Sequence, residues 1–136
     1  MSRHISGYTA AGVPRISEKL WQQKVIQLAR WYGWKTAHFR PAMVRCQCHG
    51  FNPLCKNCGG SGNMWRTAVQ GDGKGLLDLV LARPPRLIIA ELKRDGEKIT
   101  DPDQLDWFDV LSRCDAVEVH VWTPSDYDLV VLKLKR

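Results

Sequence analysis

No stretch of this chain approaches the roughly 20 consecutive apolar residues that a helix needs to cross a bilayer, so no membrane partner is expected. The first residues, MSRHISGYTAAGVPR, lack the apolar centre of a secretory signal. A cytoplasmic location with reduced cysteines is therefore expected. No internal repeat or long low-complexity tract is visible, which excludes a repeat array. The glycine-rich run at Gly71–Gly75, GDGKG, lacks the Lys-Ser/Thr pair that opens a helix in a P-loop, and a strand pattern follows it. Nucleotide binding of that kind is excluded. What is present is one domain's worth of chain, 136 residues, with room for one core and a small inserted module. Its net charge of +6 suits a polyanionic partner.

The rest is organised around Gly75–Lys93, GLLDLVLARPPRLIIAELK. Two apolar strands are joined by a turn at Arg83-Pro84-Pro85-Arg86, where proline's preset φ and missing N–H suit a reversal. A hairpin symmetric about Pro84-Pro85 sets Asp78 opposite Glu91, with like charges about 5 Å apart at Cβ. Lys93 shares the face of Glu91, because strand side chains alternate. Paired carboxylates in an apolar hairpin share a proton or bind a cation. Magnesium-like ions are held by one or two carboxylates plus waters and substrate phosphates, and an adjacent ammonium would steady a water or a developing oxyanion. That set points to metal-assisted hydrolysis of a phosphate ester. The competing reading is a strand-end salt bridge between Glu91 and Lys93.

Upstream, residues 1–15 read as a flexible, mildly basic arm broken by Gly7, Gly12 and Pro14. Ser17 is the expected N-cap of a helix running to about Tyr32, with Gly33 as its left-handed stop. Leu20, Trp21, Val25, Leu28, Ala29 and Tyr32 form its apolar stripe. Glu18 continues that stripe from the first turn, where an acidic residue is also favoured by the helix dipole alone. Trp34–Phe39 is the next strand, with His38 near its end, either half-buried or at the substrate.

Downstream of Lys93, Thr100 or Asp101 caps a second helix with Pro102 in its first turn. Leu105, Phe108 and Leu111 form its stripe. Gln104 points its amide toward the buried side, where a carboxylate site would partner it, or reaches solvent from the stripe's edge. Val117, Val119 and Val121 alternate with Glu118, His120 and Trp122 as a half-buried strand. Asp126–Leu134 closes the fold ahead of a basic tail, Lys133, Lys135 and Arg136.

Residues 46–62, CQCHGFNPLCKNCGGSG, hold four of the five cysteines and almost no core-forming side chains. Cys55 and Cys58 with Gly60 and Gly62 are similar to the C-x-x-C-x-G-x-G zinc repeat of J-domain chaperones; Cys46-Gln47-Cys48-His49-Gly50 resembles a shortened first half. Four thiolates suit a closed, structural Zn²⁺ site, with His49 as an alternative ligand to Cys46 and free or redox-active thiols as the rival reading. The expected finger spans residues 45–65 as an insertion between strands, with nucleic-acid contact open to it. Cys114 is left over and is expected to be a small core residue on a helix.

In this order the pieces resemble the PD-(D/E)xK nuclease superfamily, and more narrowly its virus-type replication-repair nuclease (VRR-NUC) domain. The matching residues are Ser17-Glu18 with the amphipathic helix, Gly33-Trp34, His38, Gly75-Leu-Leu-Asp78-Leu-Val-Leu, Glu91-Leu-Lys93, Gln104 and Val119-His-Val-Trp122-Thr-Pro124-Ser-Asp126. The resemblance implies an α/β fold over residues 16–136, a restriction-endonuclease-like αβββαβ core with a mixed central sheet. It implies that Asp78, Glu91 and the Leu92 carbonyl hold Mg²⁺ or Mn²⁺. Lys93 would activate water, Glu18 would reach the metal or its water, and Gln104 would steady the site. The implied activity is an endonuclease leaving 5′-phosphates. Stand-alone members resemble dimeric resolvases of branched DNA from phage replication, recombination and repair, so a homodimer on branched DNA in a bacterial or phage-infected cell is expected. Flaps, nicks or single strands are the rival substrates; a non-catalytic zinc-containing nucleic-acid-binding protein is the rival class. Leu77 departs from the family's usual proline, and the cysteine insertion lies outside its general pattern.

Overall fold

The computed structural model describes residues 16–39, 42–66 and 71–136; the expected arm, residues 1–15, lies outside them. Contacts divide the chain into two units. One joins the segment ending at His38 to Gly75–Arg136, and the other is Phe39–Lys74.

The first unit opens with α1 (Glu18–Trp31), whose N-cap Ser17 accepts from the Leu20 N–H at 3.2 Å. The helix stops at Gly33, whose φ of +82° is open to glycine at little cost. Strands β1 (Lys35–His38), β4 (Leu79–Arg83), β5 (Arg86–Leu92) and β6 (Glu118–Trp122) then form one sheet in the order β1-β4-β5-β6. The first three are antiparallel, whereas β6 runs parallel to β5 after the crossover through α2 (Pro102–Ser112). A 3₁₀ turn at Pro124–Asp126 leads into α3 (Tyr127–Lys135). The unit is therefore α/β with a mixed sheet.

The β4–β5 hairpin has the symmetric register, Leu79 opposite Ala90 through Arg83 opposite Arg86. Alternation then sends its side chains to two cores. On one face Leu79, Leu81, Ile88, Ala90, Leu92 and Trp122 pack with Trp21, Val25 and Ala29 of α1 and Val130 and Leu134 of α3. On the other, Ile89, Val80 and Val119 pack with Leu77, Trp107, Phe108 and Leu111 under α2. Leu77 is fully buried in this second core and pins the start of the hairpin.

Four expectations need correction. Strand β6 is covered on both faces, because the closing segment folds as α3 and, with α1, shields the side that carries Trp122. Leu20 and Leu105 belong to their helical stripes by spacing but are 45% and 48% exposed, each lying at the stripe's margin. Cys114 is exposed and lies past the α2 C-cap, Arg113, where the chain has already left the helix.

The second unit has β2 (Ala42–Arg45) and β3 (Asn63–Arg66) as an antiparallel pair, Ala42 opposite Arg66 through Arg45 opposite Asn63. The cysteine-rich segment forms the loop between them. Cys46 is the one buried hydrophobic side chain of this unit among the described residues, which form no apolar core.

Candidate active site and cysteine cluster

At the end of the hairpin Asp78 lies just before β4 and Glu91 is the penultimate residue of β5. They hold each other through the backbone: the Asp78 N–H donates to Glu91 Oε2 at 3.2 Å, and the Leu92 N–H donates to Asp78 Oδ2 at 3.3 Å. Glu91 is 1% exposed. Its Oε1 accepts from Gln104 Nε2 at 2.9 Å and meets Lys93 Nζ at 3.2 Å. Asp78, Glu91, Lys93 and Gln104 thus form one contiguous cluster, with Gln104 delivered from the first turn of α2.

Glu18 comes from the other helical layer. Its carboxyl feels Lys93, Glu97 and Glu91, and Asp78 in turn feels Glu18. The position of Glu18 is set three residues on, where the Trp21 indole N–H donates to the Trp122 carbonyl at 3.0 Å. The same carbonyl accepts from the Lys93 N–H at 3.0 Å. One oxygen at the end of β6 therefore ties the first turn of α1 to the Lys93 backbone. Sequence reading placed Trp21 in the apolar stripe and missed this bond; an indole N–H needs a partner when buried, but spacing cannot say which. His38 is half-buried at the end of β1 opposite Leu79, the neighbour of Asp78.

Burial raises the pKa of all three carboxyls above the ordinary carboxylate range. Asp78 is raised further by Glu18, and Glu91 by Asp78. For Glu18, burial is opposed by Lys93 and reinforced by Glu97 and Glu91. Burial also works against the Lys93 charge, but Glu91, Glu18 and Asp78 outweigh it, so its ammonium holds its proton more tightly than usual. A crowd of partly desolvated acids around one ammonium is a poor arrangement for stability and a common one for chemistry.

Gly75 was also missed as a site residue. With φ +80°, it lies so close to α2 that a Cβ there would sit 2.7 Å from the Asp103 carbonyl carbon and 2.9 Å from the Gln104 nitrogen. The close approach seats the helix turn that carries Gln104.

In the second unit Cys46, Cys48, Cys55 and Cys58 bring their sulfurs within 4.8 Å of one another, and among the described residues this is the one group of three or more such ligands able to hold a metal ion. Cys46 completes the set and His49 does not take part. The Cys46–Cys55 and Cys48–Cys58 sulfurs are 3.7 and 3.4 Å apart; a tetrahedron of sulfurs about 2.3 Å from zinc has edges of about 3.8 Å. Backbone N–H groups of Gly50 and Gly62 donate to Cys48 and Cys58 at 3.4 and 3.3 Å, as thiolates in a metal knuckle require. Burial works to raise the Cys58 thiol, but the Gly62 N–H and neighbouring sulfurs prevail and hold it at about 6. Gly62 has no room for a side chain, since a Cβ would lie 2.9 Å from the Gly50 nitrogen. That contact closes one cysteine turn against the other.

The chain matches no model of a known protein family, no curated protein and no solved structure. Its chemistry has to be read from these side chains.

Proposed function

We propose that this protein is a metal-dependent endonuclease that hydrolyses DNA phosphodiester bonds, acting on branched DNA, with its cysteine loop held by a structural Zn²⁺. The observation that carries the reading is the opposed pair Asp78 and Glu91. Both are acids raised by burial, one almost wholly inside the protein, and both are linked to a charged Lys93. An all-oxygen donor set of this kind fits a hard divalent ion, and the limited number of protein ligands leaves positions for water and a phosphate. Asp78 and Glu91, with the Leu92 carbonyl beside them, are the residues that would hold Mg²⁺ or Mn²⁺, and Glu18 would reach the ion or its water. When bound, such an ion neutralises phosphate charge and lowers the pKa of water.

The chain's own groups supply the rest. Gln104 fixes Glu91 through its amide, leaving the carboxylate's orientation independent of solvent. Lys93 keeps its proton and offers a fixed cation to a bound water, a phosphate oxygen or the charge that develops during displacement. The element order of the first unit, α1-β1-β4-β5-α2-β6, supports kinship with the αβββαβ core of PD-(D/E)xK enzymes and their VRR-NUC branch. The net charge of +6 suits DNA, and a homodimer would give so small a chain the surface for a junction.

The test is cleavage of matched linear, nicked, flap and four-way-junction DNA with Mg²⁺ or Mn²⁺. Lys93→Ala is expected to lower the rate by about a hundredfold or more while DNA binding persists. Cutting confined to branched DNA supports a resolvase. Cutting of every form keeps the nuclease and discards the branch preference. Salt-sensitive binding with no cutting under either metal would overturn the enzyme.

A further inference from the structure

Beside Glu91, on the side away from Asp78, the surface opens into a cavity of about 300 Å³ lined by Glu97, Lys98, Ile99, Leu105, Phe108 and Val121. Its place relative to the acids is set by register. Val121 is the direct partner of Glu91 across the parallel β5–β6 pair, so both side chains stand on the same face of the sheet. Phe108 follows Gln104 by one helical turn, and Gln104 is bonded to Glu91. A phosphodiester held at Asp78 and Glu91 would therefore have its flanking nucleotide at the mouth of this cavity.

We infer that the cavity receives one unpaired nucleobase adjacent to the scissile phosphate. This inference rests on the endonuclease reading and sharpens its substrate class to DNA with an unstacked nucleotide at the cut. Ile99, Leu105, Val121 and the Phe108 ring are its apolar walls, Glu97 and Lys98 add one charge of each sign to the lining, and Leu105 is 48% exposed at the edge. Apolar walls with one aromatic face suit a base, which brings a π-face and few obligatory hydrogen bonds. The volume lies at the lower end for small-molecule sites, enough for one ring system and too little for a helix or strand of a partner protein. The segment leading from Glu91 to the cavity carries Lys93, Arg94 and Lys98 against Asp95 and Glu97, with Arg94 paired to Glu97 at 3.0 Å, which leaves a net charge of +1 (three cations less two anions) where the backbone of a nucleic acid would pass. A fully paired duplex keeps its bases stacked and cannot fill the cavity; a flap, bulge or branch point can.

The experiment uses the full chain with Ca²⁺ in place of Mg²⁺, so that binding is read without cutting. The probes are duplexes carrying one 2-aminopurine, either unpaired in a bulge or paired. Saturable change in fluorescence is expected with the bulged probe and not with the paired one. Leu105→Glu, at an exposed position the fold tolerates, is expected to weaken bulge binding about ten- to a hundredfold, as loss of one stacked base does. Phe108→Leu should keep the packing under α2 and give a smaller loss in the same direction. No response from the bulged probe, or a Leu105→Glu protein with unchanged affinity and unchanged preference, would overturn the base site. Cleavage of the same duplexes with Mn²⁺, by the parent and by Lys93→Ala, tests the nuclease separately. A fluorescence response without any cutting would keep the pocket and remove the enzyme.

Discussion

Glu91 shows at the scale of one residue how function and stability pull apart. Its carboxyl is buried, and the cation that contacts it, Lys93, is shared with Glu18 and Asp78. Because Asp78 and Glu91 ionise at higher pH in the folded chain than in the unfolded one, their contribution to stability is fully present below the ordinary carboxylate range. It is lost as pH rises through the raised values. At neutral pH and without a divalent ion, the site therefore costs stability. Asp78→Asn keeps an acceptor for the Leu92 N–H and removes the like charge. It is expected to raise the metal-free unfolding free energy at pH 7 by about 0.5–2 kcal/mol, with the advantage over the parent disappearing below about pH 4. The parent should regain the difference in saturating Mn²⁺, by about 2.7 kcal/mol at a hundred times the dissociation constant, and the variant should not. Thermal melts with and without Mn²⁺ at two pH values check this; equal response of both proteins would remove Asp78 from the metal site.

Among the elements, the hairpin and α1 were legible because local chemistry fixes them. Ser17 and Gly33 bound the helix, and Pro84-Pro85 centres a symmetric turn, so the Asp78–Glu91 juxtaposition follows from counting residues. Helix α3 was less legible. Val130 and Leu134 are four apart, but Leu129, Val131 and Leu132 lie among them, and a nearly continuous apolar run does not declare its period. Missing that helix led to the wrong expectation for β6, whose second face it helps to cover. Of the site, the charged members were legible by type and spacing, whereas the Trp122 carbonyl and Gly75 were not. A shared backbone acceptor and a close approach are products of tertiary packing. Gly75→Ala puts this to the test. Strain at positive φ costs about 1–2 kcal/mol and overpacking against α2 about 1–3 more, so a loss of about 2–5 kcal/mol is expected in denaturant melts. Displacement of Gln104 should also slow DNA cleavage by about ten- to a hundredfold. Gly71→Ala shares the positive φ but meets nothing within 4 Å among the described residues, so it should show the strain alone and cleave normally. Equal activity of the two variants would mean that Gly75 does not position Gln104.

The whole molecule is two units held by different physics. The unit with the four-stranded sheet has two apolar cores, one on each sheet face, and hydrophobic burial is enough to order it. The unit at Phe39–Lys74 has a two-stranded ribbon, four close sulfurs and no apolar core among its described residues. A two-stranded ribbon alone is at best marginal in water; a metal ion held by the four sulfurs, as proposed, would supply its folding energy. About one zinc per chain is therefore expected, and a strong chelator should melt the ribbon while leaving the sheet unit's near-ultraviolet tryptophan signal from Trp21, Trp34 and Trp122 in place. Four sulfur ligands close the coordination shell and leave no open position for catalysis. Chelation of zinc followed by addition of Mn²⁺ should then separate the two metal roles. Cutting of simple DNA that survives zinc removal would make the cysteine loop a staple that stands apart from the chemistry. Cutting abolished, with the tryptophan signal intact, would mean that the loop takes part in holding the DNA. Zinc-free protein with an unchanged melt would show that the sulfurs hold no metal and that the ribbon is stabilised some other way.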